Sequence, residues 1–123
     1  MLSDPKLHEI FTNALELIRD PHHWTQLVYA RDAEGYPRSE IEPEACQFCV
    51  MGAVNRVIYD QTNVNDFPPP HTSRPFVYLD NLALELFSGT VPWVNDELGH
   101  ESAIVLLATA AARTAPEETS DDA

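Results

Sequence analysis

Cys46 and Cys49 form a Cys-x-x-Cys pair, a spacing used by dithiol redox sites and by half of a zinc site. A zinc site needs two further ligands at matching spacing, and neither a second Cys pair nor a His-x3-His follows. A thioredoxin-like site needs the strand of a βαβ unit ahead of the pair, and that pattern is missing. What remains is single-thiol chemistry: Cys49 near a helix amino terminus as nucleophile, His100 as base, and Asn95 or Asp96 as the group that orients the imidazole. Residues of these types occur together in most chains of this length, and a free cysteine commonly packs as a small apolar side chain. An inert, buried Cys49 is therefore the stronger expectation, with the cysteine-dependent hydrolase or transferase as its rival.

The stretch Trp93-Val94-Asn95-Asp96-Glu97-Leu98-Gly99-His100-Glu101 gathers polar side chains beside an aromatic. Asp96, His100 and Glu101 could ligate a hard cation or work as acid and base. The competing account needs neither metal nor cofactor. Asn95 or Asp96 caps the last helix, acidic residues complement its dipole, and Trp93 packs as a staple. Arg31-Asp32 reads as a turn in which Asp32 accepts from backbone amides and Arg31 pairs with a carboxylate. As binding elements the chain thus offers Arg31, Asp32, Trp93, Asn95 and Asp96. His22 and His23 are sequence neighbours that point apart in extended chain, which places them at the surface. No Gly-rich phosphate loop, G-x-S-x-G elbow or H-E-x-x-H is present.

The elements that must position these residues are mainly helical. Asp4-Pro5 starts a first helix, whose Leu7, Ile10, Phe11, Ala14, Leu15 and Ile18 share a face, and Pro21 ends it. Turn formers around Gly35 predict a small β-hairpin within residues 26–40. Glu42-Pro43 predicts a second helix reaching Tyr59, with Ala45, Phe48, Cys49, Gly52, Ala53 and Val57 inward. Its face of small residues invites close approach by another helix or an aromatic ring. Residues 63–75, with Pro68, Pro69 and Pro70, predict an extended surface loop. Tyr78, Leu79, Leu82, Ala83, Leu86 and Phe87 mark a third helix closed by Ser88-Gly89, and the last helix runs from Gly99 to Arg113. The expected fold is a mainly α, compact bundle of about four short helices, in one globular domain over residues 1–113, with a disordered acidic tail at 114–123.

Twenty Asp and Glu against seven Lys and Arg give a formal charge of -13 among 123 residues. Such a surface repels phosphate backbones and anionic membranes, so direct nucleic-acid or membrane binding is not expected. No apolar run approaches the roughly 18 residues that cross a bilayer, and the expected location is the cytoplasm. The charge suits a basic protein partner, including one whose own surface holds nucleic acid.

Trp24 to Gln26, Ala30-Arg31-Asp32 with Gly35 and Pro37, Phe48-Cys49 with Gly52-Ala53, and Trp93-x-Asn95-Asp96 before a final helix occur in an order similar to a known family. In this A-R-D-x-x-G, F-C-x-x-G-A and W-x-N-D pattern the chain resembles an uncharacterised family of small bacterial and bacteriophage proteins, a domain of unknown function, over residues 5–113. The resemblance implies a bacterial or phage setting and makes Cys49 the typical cysteine, with Cys46 an addition of this chain. It implies no activity and no catalytic residues. The functional expectation is a non-enzymatic accessory or regulatory protein that acts by binding another protein, in one version as an acidic inhibitor or nucleic-acid mimic.

Overall fold

The computed structural model describes residues 5–62 and 74–116. It contains α1 (Pro5–Ile18), a 3-10 turn (Pro21–His23), and the two-residue strands β1 (Ala30–Arg31), β2 (Pro37–Arg38) and β3 (Gln47–Phe48). Then come α2 (Val50–Thr62), α3 (Arg74–Phe87), the single turn α4 (Val91–Trp93), a π turn (Val94–Leu98) and α5 (His100–Thr114). The protein is mainly α, as its periodicity predicts, with a three-stranded antiparallel sheet in the order β2-β1-β3. Asp4, the proline-rich segment before Arg74 and the tail beyond Pro116 lie outside the described residues.

α1 is the central helix and packs on both α5 and α2, while α3 covers α5. Its apolar face repeats at helical spacing, and Leu7, Ile10, Phe11, Ala14 and Ile18 are all buried. Two histidines lock α1 to α5 by side-chain to backbone bonds. His8 Nδ1 lies 2.7 Å from the Ala111 carbonyl, and His100 Nε2 lies 2.8 Å from the Ile18 carbonyl. In each pair the ring nitrogen must carry the proton, because a carbonyl can only accept.

The predicted hairpin forms, with Ala30 opposite Arg38 and Arg31 opposite Pro37. Gly35 turns the chain at φ +89°, a region that favours glycine. Asp32 fixes the turn: its Oδ1 accepts from the Glu34 and Tyr36 amides, both at 3.0 Å. Its Oδ2 accepts from Arg38 Nε at 2.8 Å, and this guanidinium bond is the main reason the Asp32 carboxyl titrates below its ordinary range. The expected carboxylate partner for Arg31 is not found among the described residues. Arg31 instead donates to Thr25 Oγ1, the Gly35 carbonyl and the Gln26 carbonyl, stitching the hairpin to the segment before it.

Three helix boundaries differ from expectation for identifiable reasons. α2 starts at Val50 rather than Glu42 because Gln47 and Phe48 are taken as a strand: Ala30 pairs with Phe48, and the Thr25 amide donates to the Phe48 carbonyl. α3 starts four residues before Tyr78, at Arg74, with Pro75 in its first turn, where a missing amide costs nothing. Its end uses Ser88, not Gly89, in the left-handed conformation at φ +59°. Gly89 is instead the floor for the Trp93 ring, which a Cβ there would overlap.

Candidate functional site

Cys49 sits one residue before α2 and acts as its cap. Its carbonyl accepts from the Ala53 amide at 2.8 Å, and its Sγ accepts from the Gly52 amide at 3.3 Å. Two effects oppose each other at this thiol. Amide hydrogen bonds from Gly52 and Met51 favour the thiolate, but burial disfavours it more, and the charges of Asp96 and Glu40 add to the same side. Burial wins and the thiol is pushed from an ordinary 9.0 up to about 12. At neutral pH the group is an S–H, which is neither a nucleophile nor a metal ligand.

The cysteine hydrolase alternative also needs a base within reach. His100 makes no hydrogen bond to Cys49; its Nε2 is used on the Ile18 carbonyl, and its ring stands edge-on to Trp24 with centroids 5.4 Å apart. Asn95 and Asp96 do line a cleft with Cys49, but His100 is not part of that wall. The hard-metal alternative fares no better. Asp96, His100 and exposed Glu101 do not converge, and no group of three His, Cys, Asp or Glu side chains suited to a metal exists among the described residues.

Raising the pH tests the thiol directly. In a Cys46→Ser variant, Cys49 is expected to react with iodoacetamide at pH 8 roughly 1000-fold more slowly than an unstrained thiol, three pKa units being three decades of thiolate. Because the folded pKa lies above the unfolded one, the stabilisation from keeping this thiol neutral is complete below about 9 and drains away as pH climbs toward 12. Urea midpoints across pH 8 to 11 should fall accordingly.

Asn95 has a role that its sequence neighbours do not reveal. Its place before the last helix makes it a candidate cap for α5, yet α5 starts at His100 with Gly99 in the cap position and no side-chain cap. Asn95 lies in the π turn, 1% exposed, and caps a helix 45 residues away: its Oδ1 accepts from the Val50 amide at 3.1 Å. The same oxygen accepts from Trp24 Nε1 at 2.9 Å, and Nδ2 donates to the Thr25 carbonyl and to Asp96 Oδ1, each at 3.0 Å. Every hydrogen-bonding position of this buried amide is thus filled. The extra residue of the π turn aims Asn95 inward between α2 and the Trp24-Thr25 segment. Trp93, by contrast, is 42% exposed and does not staple the core.

Asp96 is held beside it. Oδ1 accepts from the Leu27 amide at 3.0 Å as well as from Asn95, and the Asp96 carbonyl accepts from Gln26 Nε2 at 2.9 Å. These bonds fix Leu27 at φ +74°, a conformation that costs a leucine about 1–2 kcal/mol. They also define a cleft of about 350 Å³, walled by Val28, Tyr29, Cys49, Val91, Pro92 and Asp96, with Leu27 at its rim. Tyr29, Met51 and Val91 carried no functional signal in the sequence; only the fold makes them neighbours of Asp96. Burial, followed by the Cys49 and Glu40 charges, raises the Tyr29 phenol above its ordinary value, so it too stays protonated.

Glu40 is the other unforeseen group. It is fully buried, and its Oε2 accepts from Asn55 Nδ2 at 2.6 Å, while Oε1 has no hydrogen-bond partner among the described residues. Arg56 closes the segment over it by donating to the Glu40 and Glu42 carbonyls. Arg31 and Asp32, two of the anticipated binding residues, serve the hairpin and lie away from the cleft wall. No helix among the described residues is long and apolar enough to cross a membrane.

A family model described as a family of unknown function (DUF6197) matches residues 2–113. No curated protein and no solved structure matches the chain.

Proposed function

We propose that this chain, which belongs to the DUF6197 family of unknown function, acts without catalysis, by binding a basic protein partner at the cleft beside Leu27. The observation that carries the reading is Leu27 itself. A leucine in left-handed backbone, 76% exposed, costs conformational energy and leaves its apolar surface in water. Two hydrogen bonds from residues 26 and 27 to Asp96, backed by the bond from Asn95 to Asp96, surround this arrangement and hold it at the mouth of an apolar cleft. Such a side chain gains its free energy when a partner covers it. The net charge of -13 selects cationic partners and speeds their encounter. A nucleic-acid-binding protein whose phosphate groove meets this acidic surface is the concrete form of the proposal.

The neutral Cys49 and the engaged His100 favour this reading over a thiol enzyme. Leu27→Gly provides a test with two opposed readouts. Relief of the backbone strain should raise stability by about 1 kcal/mol, while loss of the leucine should weaken partner binding about tenfold. The partner is captured on immobilised protein at low salt, identified, purified and re-bound in solution. The proposal expects a basic protein whose affinity falls with added salt and with Leu27→Gly. An acidic partner, or an affinity indifferent to the substitution, would overturn it.

A further inference from the structure

We infer that the cleft is a lysine pocket, which takes one lysine side chain of the basic partner with its ammonium on Asp96 and its stem along Val28, Val91 and Pro92. This rests on the binding reading above and specifies its anchor. Asp96 stands in the cleft wall with its two oxygens in different states. Oδ1 already accepts from the Leu27 amide and from Asn95 Nδ2, whereas Oδ2 accepts no hydrogen bond among the described residues. One open carboxylate oxygen suits an ammonium, which needs a single acceptor and a point charge. A guanidinium gains its advantage from two parallel bonds to both oxygens, and that fork is closed here.

The rest of the wall agrees with the same occupant. Val28, Val91 and Pro92 are apolar and match the four-carbon stem of lysine, which commonly lies along apolar surface with its charge at the polar end. Cys49 contributes a neutral S–H, and Asn95 Oδ1 is saturated by Trp24 and Val50, so neither competes with Asp96 for the charge. The cleft of about 350 Å³ falls in the size range of specific small-ligand sites.

Titration of ¹⁵N-labelled full chain with n-pentylamine, n-pentylguanidine and n-pentanol tests this with probes of one chain length. Saturable shifts of the Leu27, Tyr29 and Asp96 amides are expected with the amine, at a concentration about tenfold below that for the alcohol. The guanidine should bind more weakly than the amine. Asp96→Asn keeps an acceptor for the Leu27 amide and should reduce the amine to the level of the alcohol. The comparison of amine with alcohol on the unaltered chain needs no variant to fold. Absence of saturable shifts, equal binding of amine and alcohol, or tighter binding of the guanidine overturns the lysine pocket. A Leu27-dependent basic partner that binds while the amine does not would remove the pocket and leave the binding reading intact.

Discussion

Gly52→Ala is expected to destabilise the protein by about 3 kcal/mol or more, although it changes one hydrogen into a methyl group in the first turn of α2, where alanine has the better helix propensity by up to about 1 kcal/mol. A Cβ on Gly52 would overlap the Tyr29 carbonyl oxygen, with the Tyr29 carbonyl carbon 2.9 Å away. That oxygen cannot retreat freely, because it accepts from the Cys49 amide at 3.2 Å and belongs to the segment leading into β1. Relief requires α2 to move away from Tyr29, which opens the core around Ala30, Phe48 and Val50, all buried. Gly89→Ala is the control: its Cβ would meet the Trp93 ring, a 42% exposed side chain that can swing aside, so the loss should stay under about 1 kcal/mol. Urea unfolding of the two variants checks both, and equal midpoints would refute the close-approach argument.

Asn95→Ala should cost about 3–5 kcal/mol. The truncation strands the Trp24 indole N–H, the Val50 amide and the Thr25 carbonyl, and each buried polar group left without a partner costs about 1–3 kcal/mol. The loss also removes the side-chain cap that holds the first amide of α2. Asn95→Asp separates acceptor from donor roles. Its oxygens can still receive Trp24 and Val50, but it cannot donate to Thr25, and it places a second carboxylate beside Asp96. It should therefore retain the Trp24 environment seen by fluorescence while losing stability. A cost below about 1 kcal/mol for Asn95→Ala would mean that Trp24 and Val50 find other partners, and the bridging role would fail.

Both variants also bear on the cleft, since Tyr29 and Asn95 stand in its wall. Asn95 positions Asp96 through the 3.0 Å bond from Nδ2, and Asp96 in turn holds the Leu27 amide. The rim of the cleft is thus an extension of the same network that caps α2. A perturbation of Asn95 should move Leu27 before it unfolds the helices, which amide shifts of Leu27 would register.

The sequence by itself determined the elements whose free energy is local. The 3-and-4 spacing of Leu7, Ile10, Phe11, Ala14 and Ile18 makes α1 amphipathic wherever it packs. Turn chemistry at Asp32 and Gly35 likewise specifies the hairpin within seven residues of chain. Tertiary structure decided what depends on distant partners. Helical propensity cannot show that Gln47 and Phe48 leave a helix to pair with β1, since the competing hydrogen bonds come from Ala30 and Thr25. An asparagine before a helical pattern looks like a local cap, and nothing in its neighbours says that its oxygen will serve Trp24 and Val50 instead. Cys49 is a different case: the sequence favours an inert, packed thiol over an activated one at a helix start, and the packing around it, which outweighs the amide bonds, is what keeps it protonated. The small face of α2 was legible as a place of close approach. That a backbone carbonyl, rather than a helix or an aromatic ring, fills it followed from how the hairpin docks.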